Sequence, residues 1–96
     1  MISLSTHVLD TGRGRPAAGV RVELVGPSGE DTTEATTDAD GRAWLADELE
    51  PGEYRLVFHP PSPFFTQVEL TVLLEDGHYH VPLLVSPYGC ATYRGS

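Results

Sequence analysis

Gly19-Val20-Arg21-Val22-Glu23-Leu24-Val25-Gly26-Pro27-Ser28-Gly29 decides the fold. Val20, Val22 and Leu24 alternate with Arg21 and Glu23, a period of two that puts one apolar face on a strand. Gly26-Pro27-Ser28-Gly29 then reads as a turn. The same grammar continues outward. The Thr-rich stretch Glu30 to Thr37 suits an exposed strand, and Asp38-Ala39-Asp40-Gly41 a second turn, with Gly41 suited to positive φ. Arg42 to Leu45 follows as a short strand, and Trp44 to Glu50 has room for one helical turn at most. Tyr54, Leu56 and Phe58 alternate, as do Val68, Leu70, Val72 and Leu74. Between them, His59-Pro60-Pro61-Ser62-Pro63 excludes helix and paired strand. Asp76-Gly77 reads as a hairpin turn. His78 to Val85 reads as one strand that Pro82 confines to an edge or a bulge, and Cys90 to Arg94 as the last strand. With a first strand ending at His7, the expectation is an all-β antiparallel sandwich of about eight short strands, with little or no helix.

Composition narrows the function classes. A chain of 96 residues predicts one domain, 1–96, with a thin core that oligomerisation would reinforce. The net charge of −8, with six arginines spread singly, argues against nucleic-acid binding. The one cysteine, Cys90, cannot form an intramolecular disulfide. Met1 to His7 lacks the features of a signal peptide, and the apolar runs are too short for a membrane helix. The expectation is a soluble cytoplasmic protein.

Taken singly, the polar candidates are weak. His7 and His80 each read as surface or hydrogen-bonded strand residues, and His59 and His78 sit beside turns. His7, His78 and His80 are the candidate ligands for a metal, but there is no second cysteine and no His-x-x-x-His helix, and the two imidazoles that share a strand face, His78 and His80, do not make a zinc site, so no metal is expected. Cys90 reads as small buried filler, Arg42 and Arg94 as solvated cations, and Asp10, Asp38 and Asp40 as turn supports.

Several segments taken in order are more specific. Thr6-His7-Val8-Leu9-Asp10-Thr11, Gly14-Arg15-Pro16-Ala17, Thr37-Asp38-Ala39-Asp40-Gly41-Arg42, His78-Tyr79-His80-Val81-Pro82-Leu83-Leu84, Ser86-Pro87-Tyr88 and Thr92-Tyr93-Arg94-Gly95-Ser96 resemble the 5-hydroxyisourate hydrolases, the transthyretin-like enzymes of urate breakdown. The resemblance runs from about Ser5 to the last residue. It implies a transthyretin-type (prealbumin-like) sandwich and a homotetramer whose active sites lie in a channel where two dimers meet. It implies hydrolysis of 5-hydroxyisourate to 2-oxo-4-hydroxy-4-carboxy-5-ureidoimidazoline without metal or cofactor. The family's catalytic His, Arg and His fall on His7, Arg42 and His80. Its terminal tetrapeptide falls on Tyr93, Arg94, Gly95 and Ser96, with Ser96 in the catalytic set and the other three against substrate. Two departures stand out. The family's short helix after the strand matching Tyr54–Phe58 looks deleted, and Cys90 replaces a residue that is usually aromatic.

The chemistry agrees with the residue types. Histidine titrates near neutral pH, so it can take a proton from water and return it to a departing nitrogen. Arg42 offers a planar fork of donors to an oxidised purine. Ser96 brings both a hydroxyl and the chain's α-carboxylate. Two other readings compete. Gly19 to Tyr54 also resembles the prealbumin-like repeats of surface proteins and carboxypeptidase regulatory domains, which carry no chemistry. The second alternative is a family member turned to another ligand, with the shortened link and Cys90 as its marks.

Overall fold

The computed structural model describes residues 1–95. Ten strands form two sheets, with no helix among the described residues. They are β1 (Ile2–Asp10), β2 (Arg15–Pro16), β3 (Arg21–Val25), β4 (Thr32–Thr36), β5 (Arg42–Leu49), β6 (Gly52–His59), β7 (Val68–Leu74), β8 (Gly77–His80), β9 (Leu83–Ser86) and β10 (Gly89–Thr92). The smaller sheet runs β4-β3-β6-β7, antiparallel throughout. The larger is organised around β1, which has neighbours on both sides along its length. Its first half lies between β5, antiparallel, and β8, parallel. Its last residues lie between β2, antiparallel, and β9, parallel, and β10 closes the far side of β9.

The two sheets meet through their apolar faces. Ile2, Leu4 and Val8 of β1, with Leu83 and Val85 of β9, pack in one core with Val22, Leu24, Leu56 and Phe58 of the smaller sheet. Burial of such side chains contributes about 1.5–3 kcal/mol each. Thr6 occupies a core position on β1 and is fully buried. Its hydroxyl donates to the Val81 carbonyl at 2.6 Å, so burial leaves no polar group unmet.

The architecture matches the expected all-β sandwich, and four local readings are corrected. β1 does not stop at His7 but runs to Asp10, because β2 and β9 supply partners for its end. β5 continues to Leu49, with no helical turn. Register shifts against β1 around Leu4 mark a bulge, which disturbs the period of two that identifies a strand. Asp76-Gly77 does not close a hairpin. β7 pairs β6 in one sheet and β8 pairs β1 in the other, so the turn carries the chain between layers. Finally, His78 to Val85 is two strands. Pro82 has no N–H, and β8 ends before it while β9 resumes after it. The break is nonetheless interior, and Thr92 Oγ1 donates to the Pro82 carbonyl at 2.8 Å.

The proline link between β6 and β7 has no helix, as expected. Ser62 organises it: its hydroxyl donates to the Pro87 carbonyl at 3.1 Å and accepts from the Phe64 and Phe65 amides. Across the molecule, the turn before β5 is tightly specified. Gly41 has φ +77°, its carbonyl accepts from Val8 N at 2.7 Å, and an added Cβ would sit 2.5 Å from the Val8 carbonyl oxygen. Gly41→Ala is therefore expected to destabilise the fold by at least about 2 kcal/mol, combining left-handed strain with a backbone clash. Urea unfolding checks this, and a midpoint equal to wild type would contradict it.

Candidate active site

Alternation on β1 sends Ile2, Leu4, Thr6 and Val8 inward and leaves Ser3, Ser5 and His7 on the outer face. The neighbouring strands have the same parity. Arg42 pairs with His7 and Trp44 with Ser5 on the β5 side. His78 pairs with Ser3 and His80 with Ser5 on the β8 side. Three adjacent strands thus present three histidines, an arginine, two serines and a tryptophan on one surface. The surface is concave between β5 and β8. Ser5, Thr6, Asp38, Arg42, Ala43, Trp44, His78 and His80 line an open groove of about 530 Å³.

Each side chain has a cause for its placement. Asp38 organises the turn that starts β5. One of its carboxylate oxygens accepts from the Asp40 and Arg42 amides at 2.9 and 3.0 Å. The Arg42 amide, helped by that of Asp40 and by the Arg42 and His7 charges, holds the Asp38 carboxyl below the usual range against a smaller opposing effect of burial. His7 Nε2 lies 2.8 Å from the Asp40 carbonyl oxygen. A carbonyl only accepts, so Nε2 carries the hydrogen, and the neutral ring keeps Nδ1 as its accepting atom.

His80 is half-buried. Desolvation is the main cause that lowers its pKa from the ordinary histidine value, and the charges of His7, Arg42 and His78 add to it. The imidazole is therefore neutral, and able to accept a proton, at neutral pH. Ser5 Oγ lies 2.9 Å from His80 Nδ1 and 3.1 Å from His78 Nε2, and Ser3 Oγ lies 2.6 Å from His78 Nδ1. Trp44 stacks on His78 with ring centroids 5.1 Å apart.

The expected residues fall into two groups. His7, Arg42 and His80 stand together on this face. The tail approaches from the outer side of β8: Gly95 N donates to the His80 carbonyl at 2.6 Å. Arg94, however, places its guanidinium 4.3 Å from the centre of the Tyr79 ring. Tyr79 has the opposite parity to His78 and His80, so this cation lies along a separate groove that Tyr93 also lines, beside β7. Ser96 lies outside the described residues. Cys90 is half-buried against the core, where desolvation raises its thiol pKa, in keeping with a packing role.

Ser3, Ser5 and Trp44 belong to the face but do not stand out in the sequence as site residues, and His78 stands out there only as a rejected metal ligand. Their signal was parity: all lie an even number of positions along their strands from His7, Arg42 or His80.

Two imidazoles and a guanidinium on one concave sheet face can hold an anion and move a proton. The HIUase/Transthyretin family model matches residues 4–95, and the chain belongs to that family. A 5-hydroxyisourate hydrolase of Caulobacter vibrioides is 44% identical, with both chains fully covered. Its alignment spans 115 positions against 96 residues here, so that relative carries residues with no counterpart in this chain. The solved 5-hydroxyisourate hydrolase of Klebsiella pneumoniae superposes with a TM-score of 0.88 at 36% identity, again covering both chains fully. Sea bream transthyretin, solved with thyroxine, gives 0.85 at 26% identity, covering 96% of this chain and 93% of its own.

The close fit of tail to β8 is testable. A Cβ at Gly95 would lie 2.7 Å from His80 Cδ2 and 3.2 Å from the His80 carbonyl oxygen. Gly95→Ala is expected to displace the His80 ring or lift the tail from β8. Histidine ring resonances unchanged from wild type in NMR spectra would contradict this.

Proposed function

We propose that the protein hydrolyses 5-hydroxyisourate to 2-oxo-4-hydroxy-4-carboxy-5-ureidoimidazoline in urate breakdown. The observation that carries the proposal is the convergence of His7, Arg42 and His80 on one face of three adjacent strands. The names and full coverage of the related hydrolases support it.

The residues supply each part of the reaction. Arg42 stays cationic and binds adjacent substrate oxygens with its planar fork. His80, neutral at working pH, accepts a proton at Nε2 from the attacking water as the new C–O bond forms. The C–N bond of the ring then breaks, and His80 returns that proton to the departing nitrogen. His7 Nδ1, with Nε2 engaged by the Asp40 carbonyl, orients the water. Ser96 completes the catalytic set in this proposal, with Gly95, bonded to the His80 carbonyl, bringing the tail to the site; Tyr93 and Arg94, expected as substrate contacts, lie instead along the groove beside β7. No step needs a cofactor.

We also propose a homotetramer, a dimer of dimers, in which two such faces enclose the groove. The openness of the groove and the exposed Trp44 on its wall support this. Sedimentation is expected to give the mass of four copies; a monomer would contradict it. The lone thiol fits the reducing cytoplasm, where we place the protein.

The activity is tested by generating 5-hydroxyisourate from urate and following its decay. Wild type is expected to accelerate the decay, and His80→Ala and His7→Ala to lose about 10²-fold or more of that acceleration. A wild-type decay no faster than the spontaneous one would sink the assignment and favour a non-catalytic module or a member turned to another ligand. The pH profile adds a sign. His80 must be neutral to accept the proton, and its pKa is lowered, so kcat/KM should fall only as pH drops through a value below about 6.5. A limb at or above that value would contradict the electrostatics described for His80.

A further inference from the structure

Ser3, His78, Ser5 and His80 form one continuous hydrogen-bonded line across β1 and β8. Its contacts are 2.6 Å, 3.1 Å and 2.9 Å, alternating hydroxyl and imidazole. A serine hydroxyl has one hydrogen to donate, and a neutral imidazole has one donor nitrogen and one acceptor nitrogen. These rules allow the line two polarities. In one, His80 Nδ1–H donates to Ser5, Ser5 donates to His78 Nε2, and His78 Nδ1–H donates to Ser3. His80 Nε2 is then bare and can act as a base. In the other, every donor and acceptor is reversed, and His80 Nε2–H can act as an acid.

We propose that Ser5 and His78 are positioning residues that relay protons to and from His80, so that its Nε2 alternates between base and acid while the positive charge rests on His78. This rests on the hydrolytic reading of the same face. When Nε2 takes the proton of the attacking water, Nδ1 releases its own to Ser5 Oγ, and Ser5 passes its hydroxyl hydrogen to His78 Nε2. His78 becomes the imidazolium, and His80 is neutral with Nε2–H facing substrate. When Nε2 gives that hydrogen to the departing nitrogen, the same two hydrogens move back. Protons balance over the cycle, and no oxidant or further reactant is needed.

The surroundings favour this location for the charge. His80 is half-buried and faces His7 on β1 and Arg42 on β5, with Asp38 behind Arg42 as the neighbouring anion. A second cation there meets desolvation and like-charge repulsion. His78 is exposed, keeps its hydration and has the Trp44 ring stacked against it. Trp44 is itself held by its indole N–H, which donates to Asp47 at 2.5 Å and brings a carboxylate to that end of the face. Of the other charges near this end of the strands, the Met1 ammonium is paired with Asp76 at 3.7 Å, and Arg94 is engaged over Tyr79 on the opposite side of β8.

The experiment compares wild type with Ser5→Ala, Ser5→Thr and His78→Gln, by long-range proton–nitrogen NMR of the His80 ring and by the pH dependence of kcat. Ser5→Ala and His78→Gln are expected to lower kcat by at least tenfold with KM within twofold. Both should move the His80 nitrogen shifts from an average of two tautomers toward one, whereas Ser5→Thr retains the hydroxyl and stays near wild type. Unchanged His80 nitrogen shifts in Ser5→Ala, or a wild-type kcat profile in both Ser5→Ala and His78→Gln, would overturn the relay. The NMR arm needs no substrate. An inactive wild type with the expected tautomer changes would reject the hydrolytic reading and leave the relay standing. His78→Gln, at an exposed position, keeps the test valid if Ser5→Ala disturbs the sheet.

Discussion

The structure depends on the two-residue period of β1. One strand of nine residues supplies four inward side chains to the core and three outward ones to the candidate active face. Because the period is strict, a slip of one residue would expose Ile2, Leu4 and Val8 and bury His7 and Ser5. Burial of the apolar set therefore fixes the polar set. The register of β5 and β8 on either side extends that constraint to Arg42, His78 and His80. The placement of these side chains on this face follows from the stability of the core beneath it.

The same logic explains why the site sits on strands. Binding residues on loops need separate devices to hold them, whereas these are held by ladder hydrogen bonds and core packing. The loops contribute where a backbone group must be aimed. Asp38 and Gly41 shape the turn that presents the Asp40 carbonyl to His7, and Gly95 lets the tail lie against His80 without a side chain between them.

Much of this was legible in the sequence. Val22 to Leu24, Tyr54 to Phe58 and Val68 to Leu74 show alternation because every second side chain faces the core, and all three lie on strands. His7, Arg42 and His80 could be paired through their motifs. What escaped depends on long-range pairing. Asp76-Gly77 specifies a local reversal and says nothing of which sheet receives the next strand. The bulge in β5 hides its period, and the interior break at Pro82 relies on Thr92, far along the chain, to satisfy its carbonyl. Ser5 and His78 gain meaning only when β1 and β8 lie side by side, since nothing in either segment names the other. The position of Arg94 over Tyr79 has the same origin: parity on β8 separates Tyr79 from the two histidines beside it.

The most direct test of the central claim, that the outer face of β1 with β5 and β8 is the catalytic surface, is a crystal structure with a non-hydrolysable oxidised-purine analogue. The analogue is expected in the groove between Arg42 and His80, with an oxygen on the Arg42 guanidinium and a ring atom or water within hydrogen-bond reach of His80 Nε2. An analogue bound instead along the Tyr93–Arg94 groove beside β7, with the His7–Arg42–His80 face empty, would contradict it.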